Sequence, residues 1–324
     1  MAGVRFGKAI GTALADAMRA DPAVVVLGED IAEAGGSFGV TRGLLAEFGP
    51  LRVRDTPIAE AAIVGAATGA ALGGLRPVVE IMFMDFLTLA MDALVNQAAK
   101  AWFMFGGQAP VPLVVRTPHG GGLNAGPQHS QCLEAWFAHI PGLKVVCPSD
   151  SASAYGLLRA AIDDPNPVIF VENKSLYAAA GELPEPAPSL PIGQARTARP
   201  GSDATVVTYG ACVATALETA DRLAQEGLDI EVLDLLSLQP WDEAAVLASL
   251  ARTHRLVVFH EAVTAFGVGA EIVARMADVG FDELDAPLKR VGAPFMPVPF
   301  SRELEAAFQP NDVALEAALR EVLA

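Results

Sequence analysis

The chain has 324 residues, enough for two domains, and 52% of them are hydrophobic, yet no unbroken apolar run approaches the roughly 20 residues that span a bilayer. Its 22 basic and 38 acidic residues give a formal charge of −16, which repels nucleic acid and anionic lipid and obliges any acidic substrate to find local positive charge or a helix N-terminus. Cys132, Cys147 and Cys212 are odd in number and lack metal-like spacing, which argues against a disulfide framework or zinc site and for a reducing cytoplasm. Arg5 and Lys8 precede an apolar stretch that Asp16 interrupts, so no signal peptide is expected.

In chain order, the first half alternates helix and strand in the manner of a parallel α/β sheet. A helix from Phe6 to Arg19 precedes the strand AVVVLGED, and an Ala/Gly-rich helix from Glu60 to Leu72 precedes PVVEIMF. A helix from Asp85 to Ala101 leads to VPLVVRTP, a glycine-rich loop spans Gly120 to Gly126, and KVVCPSD leads through a helix to PVIFVEN. Such Val/Ile/Leu runs are those of strands buried on both faces. Between Gly181 and Pro200, GELPEPAPSLPIGQARTARP is too rich in proline for a helix interior or a central strand and marks a domain boundary. Beyond it come DATVVTYGA, a helix to about Glu226, LDIEVLDLLSL, a helix from Asp242, RLVVFHEA and a helix from Gly267, a second and smaller α/β unit closed by two helices after Pro299.

Several motifs are tested and set aside. GVRFGKA is one residue short of a phosphate loop and has Ala9 where the metal-binding hydroxyl belongs, and FGVGAEI lacks the third glycine of a dinucleotide fingerprint. Gly35 to Gly39 spells the G-x-S-x-G elbow of serine hydrolases around Ser37, but the preceding strand ends at Leu27 and GEDIAEAG intervenes, so a plain loop is expected. Glu60, after Thr56-Pro57-Ile58, reads by itself as a favourable first-turn acid, and His129 as a capping or hydrogen-bonding residue.

A resemblance links these positions. DTPIAEAAIVGAATGAALGGLRPVVEI, MDF, NQAAK and PQHSQCLEAWFAHIPGLKVVCPSD together resemble the β subunit of 2-oxo acid dehydrogenases, the first component of the pyruvate and branched-chain complexes. The likeness extends upstream to VLGEDIAEAGGSFGVTRGL, which absorbs the G-x-S-x-G match, and more loosely to the C-terminus. It implies a parallel-sheet pyrimidine-binding domain, residues 1–185, followed by a transketolase C-terminal-like domain, residues 186–324. It also implies thiamine diphosphate with Mg²⁺ as cofactor. Glu60 would bond N1′ of the aminopyrimidine, Phe86 would pack on that ring, and Glu29, Ile58 and Met82 would line it. His129 would face the substrate and act with the lipoyl group, with Phe83 and Asp85 beside it. Some family members bind K⁺ in the region of Leu113, Ala161, Asp164 and Asn166, where DDPNP reads equally as a helix-ending turn.

The GDG motif that anchors the diphosphate through Mg²⁺ is missing from this sequence, and in the family it belongs to the α subunit, so an α₂β₂ heterotetramer is implied. The second domain is expected to pack β against β and to dock the subunit-binding domain of the lipoyl acyltransferase, a segment often basic and suited to an acidic chain. His254, His260 and Glu261 read as loop or interface groups. MFMDF with Asp85, and RTPHGGG, point to a branched-chain 2-oxo acid such as 2-oxoisovalerate, with pyruvate or acetoin as the alternative and a non-catalytic scaffold or a Ser37 hydrolase as the distant ones. Transketolases and deoxyxylulose-phosphate synthases share both domains but carry the diphosphate-binding domain ahead of them on the same polypeptide.

Overall fold

In a computed structural model that describes residues 3–187 and 190–324, two sheets account for most of the strands. Pro188 and Ser189, within the proline-rich stretch, lie outside the described residues. The first sheet has seven strands in the order Ser237–Gln239, Lys144–Val146, Val168–Asn173, Val114–His119, Arg76–Glu80, Val24–Gly28 and Val53–Asp55. All neighbours run parallel except the first pair. The second has five, in the order Lys289–Ala293, Leu256–Val263, Ala204–Thr208, Ile230–Asp234 and Arg196–Arg199, with only the last pair antiparallel.

Side chains alternate across each strand, and that alternation divides the core. Val114, Val146 and Phe170 point to the face covered by the helices Phe6–Ala20 and Ser151–Asp163. Val115, Val145 and Ile169 point the other way, into a cluster that also takes Ile63 and Val64 of the helix Glu60–Leu72 and Val207 and Val258 of the second sheet. The two sheets therefore share one apolar layer. Among the described residues no helix is long and apolar enough to cross a membrane.

Three departures from the sequence reading have local causes. LDIEVLDLLSL is not one strand, because Leu236 adopts φ 57° and turns the chain, so that Ile230–Asp234 joins the second sheet and Ser237–Gln239 crosses to the first. Arg196–Arg199 lies inside the proline-rich stretch yet forms a strand, at a sheet edge, the position open to a chain that Pro200 then ends. The helix expected from Asp85 to Ala101 is wound as α over Met84–Leu87, 3₁₀ over Thr88–Ala90, π over Asp92–Ala98 and α again over Ala99–Met104, which keeps Leu87, Ala90, Leu94, Ala98 and Ala101 buried.

Candidate active site

The carboxyl ends of parallel strands share one edge, where α/β sheets gather their ligands. The strand Val24–Gly28 runs into Glu29, and the Gly28 carbonyl takes the Thr56 amide at 2.9 Å, which brings the TPIAE segment to the same edge. Glu60 opens its helix there with 6% of its surface exposed, and no hydrogen bond or ion pair of its side chain occurs among the described residues. Glu29, 8% exposed, lies close enough that its carboxyl is held above the usual range by burial first, then by the charge of Glu60 and of Asp30. Ile58 is 83% exposed, and Met82 is partly buried just past the strand Arg76–Glu80.

A second group of predicted residues meets as rings. Phe83, Phe86 and His129 are mutually edge-to-face, with centroids 5.6, 5.1 and 5.3 Å apart. Phe38, from the glycine-rich segment around Ser37, adds an edge to Phe83 at 6.2 Å and stacks on Tyr177 at 4.4 Å. Ser37 itself sits exposed on a turn nine residues past the end of its strand, so the elbow geometry of a hydrolase is absent.

Asp85 is buried with one carboxylate oxygen on Gln131, accepting from Nε2 at 2.8 Å and from the amide at 3.3 Å. It tethers the His129 loop. Lys174, 3% exposed, donates its ammonium to the His129 carbonyl and lies 5.2 Å over the Phe83 ring, and burial holds its pKa below the ordinary lysine value. Beneath this edge Arg116, 1% exposed, binds Glu172 at 2.7 and 2.9 Å and Glu80 at 2.7 Å, while Tyr177 donates to Glu172 at 2.6 Å. Burial opposes the Arg116 charge, and the two carboxylates more than restore it.

Glu134 takes a hydrogen bond from Tyr209 of the second sheet region at 2.8 Å and faces His119 Nδ1 at 3.4 Å. Burial works against both charges, yet each partner stabilises the other, so the imidazole's pKa is raised and the carboxyl's lowered. Cys132 joins them, the three donor atoms lying within 4.8 Å of one another, a meeting that linear spacing did not announce. Burial pushes all three cysteine thiols well up. In the expected K⁺ region the Leu113 carbonyl accepts the Val168 amide at 2.8 Å, and Asp164 accepts the Lys144 ammonium and the Asn166 amide. Ala161 is fully buried. The Asp164 carboxylate thus has a counter-charge from within the chain.

Sequence reading missed Lys174, Gln131 and Glu305, and it took Glu261 only as a loop or interface group without its partner. The glycine-rich loop receives both second-domain acids: Glu261 accepts from the Gly121 amide at 2.7 Å, and Glu305 from Gly122 at 3.0 Å and Asn124 at 2.9 Å.

Comparison with known proteins matches residues 2–179 to the transketolase pyrimidine-binding domain and residues 193–315 to the transketolase C-terminal domain. The acetoin:2,6-dichlorophenolindophenol oxidoreductase subunit beta of Bacillus subtilis (strain 168) is 46% identical, covering 99% of this chain and 97% of its own length. The pyruvate dehydrogenase E1 component subunit beta of Rhizobium meliloti (strain 1021) is 44% identical, covering 99% of this chain and 70% of its own. A solved chain described as a split gene transketolase, inactive beta4 tetramer, superposes with a TM-score of 0.82 at 24% identity, covering 99% of this chain and 98% of that one, a likeness of fold alone.

Proposed function

The chain belongs to the β subunits of the first component of 2-oxo acid dehydrogenases, in the transketolase-like thiamine diphosphate family, and from that premise we propose that it supplies half of an active site whose other half lies on an α chain. The supporting observation is Glu60: a carboxyl 6% exposed at a helix N-terminus, without a side-chain partner among the described residues, beside the buried Glu29. Water exclusion and a free carboxyl are what a bond to a cofactor ring nitrogen needs.

Thiamine diphosphate, when bound, supplies the electron sink that cleavage beside a carbonyl requires and that no side chain provides. Glu60 would hold N1′ of its aminopyrimidine, Phe86 would face the ring, and Glu29, Ile58 and Met82 would line it. The Phe38, Phe83 and Phe86 rings would help to exclude water, and His129, packed edge-on to Phe83 and Phe86, would hold or move a proton at its imidazole when the acyl group passes to a lipoyl group. The diphosphate and Mg²⁺ fall to the α chain, since this chain has no GDG motif. A K⁺ ion at Leu113, Ala161, Asp164 and Asn166 would have to displace Lys144. An α₂β₂ assembly and docking to a lipoyl acyltransferase complete the reading.

The branched-chain substrate expected from MFMDF and RTPHGGG gives way to one of the pyruvate or acetoin type. The relatives are named for acetoin and pyruvate. Within those segments Asp85 has an oxygen on Gln131 and His119 faces Glu134, so neither marks a branched side chain. With a co-expressed α chain, acetoin or pyruvate should turn over faster than 2-oxoisovalerate. Glu60→Gln should lower turnover by about 10³-fold with an unchanged melting temperature; near-normal turnover would remove Glu60 from the chemistry.

A further inference from the structure

We infer that Glu305 and Glu261, carboxylates of the second domain, are positioning residues that set where His129 stands. The loop after the strand Val114–His119 turns the backbone amides of Gly121, Gly122 and Asn124 towards second-domain carboxylates, and clustered amides of this kind attract anions. Here that role is filled from within the chain. Glu305, 3% exposed, spans Gly122 and Asn124 with its two oxygens, and Glu261 takes Gly121 with one oxygen and the Asn173 amide group, at 2.5 Å, with the other. Gln309 adds a donor to Glu261 at 3.3 Å. Bonds from amides to a carboxylate are the stronger kind of hydrogen bond.

The sequence of the loop agrees with this assignment. A Cβ on Gly121 would fall on Gln309 Nε2 and stand 3.0 Å from Glu305 Oε1, so a larger residue there would displace the second-domain side chains that close on the loop. Packing alone does not hold the loop, because a crevice of about 510 Å³ lies against it, lined by Gly121, Ser130, Cys132, Glu261, Met296 and Phe308. The Ser130 hydroxyl, buried at that crevice, has no partner among the described residues. Just past Asn124 and Ala125 the chain turns, and the turn is closed by the His129 amide on the Gly126 carbonyl at 3.3 Å. His129 is therefore suspended between two sets of anchors, Asp85 and Lys174 from the first domain, Glu261 and Glu305 from the second.

The inference rests on the proposed role of His129, and the test separates the two. Amide hydrogen exchange in the full chain requires no turnover: Glu305→Ala should speed exchange at Gly122 and Asn124 by roughly tenfold or more, with the central strands unchanged. In the complex with the α chain, the same variant should slow transfer to the lipoyl group roughly tenfold more than reduction of an artificial electron acceptor, as expected when a reacting group is misplaced. Glu305→Gln, which keeps the shape and one acceptor, should recover part of both losses. Unchanged exchange in Glu305→Ala overturns the inference, as does an equal fall in both rates accompanied by a lowered melting temperature, the mark of mere domain glue. If exchange responds while Glu60→Gln retains activity, the anchoring of the loop stands and the functional reading falls.

Discussion

At the edge of the seven-stranded sheet, Glu29 and Glu60 are buried side by side and Asp85 keeps an oxygen without a partner among the described residues, whereas the buried carboxylates of the second domain are each satisfied. Glu231 accepts from Thr205 and Arg252, Asp234 from Ser149 and Arg196, and Glu305 from two loop amides. Burying a carboxylate without compensation is costly, so the uncompensated ones mark where a ligand's donors are expected, and the compensated ones mark where acid is used for assembly. Two exceptions stand on the first side: Glu134, held by Tyr209 and His119, and the larger one, Arg116, whose two carboxylates form a closed network under the ring cluster.

The Arg116 network carries the largest expected effect. Arg116→Met leaves Glu80 and Glu172 buried with their countercharge gone and should cost about 3–5 kcal/mol in urea unfolding, with Tyr177 and Phe38 loosened above it. A loss under about 1 kcal/mol would mean that the network is solvated rather than closed.

The second domain should instead yield stability without touching the site. Gly269 opens the helix Val268–Val279 against the fully buried His260, and an added Cβ would meet Nε2 at 2.7 Å and Val258 Cγ1 at 3.0 Å. Gly269→Ala should therefore cost about 1–3 kcal/mol while KM for the small substrate stays put; a shift in KM as large as that of a site variant would show that the two domains are not divided in this way.

Local physics reaches much of this molecule from sequence and then stops. Val114–His119 and Val168–Asn173 are legible because strands buried on both faces must be continuous apolar runs, and the helix start at Glu60 because Pro57 and the Ala/Gly run frame it. Edge strands such as Val53–Asp55 and Lys289–Ala293 carry charge and leave no such trace. Glu60 and His129 stood out only through the family motif, since each alone is an ordinary acid or imidazole. Glu305 could not be found at all: the amide it holds at Gly122 is 183 residues away, and only the fold makes them neighbours.

The smallest effect tests whether compensation in the second domain is complete. Asp234 is fully buried, and burial lifts its carboxyl to about 6 even though Arg196 and Ser149 pull the other way. Its folded pKa lies above that of the unfolded chain, so the folded protein holds the extra proton between about pH 4 and pH 6. The penalty for burying the charge is then fully present above about pH 6 and is relieved as the pH falls through that window. Measured by urea unfolding from pH 7.5 to pH 5, the wild type should gain stability relative to Asp234→Asn as the pH falls, with a slope of at most about 1.4 kcal/mol per pH unit. A flat difference would mean that Arg196 and Ser149 offset the burial in full, and that the contrast between the two sheets is sharper than the raised carboxyl implies.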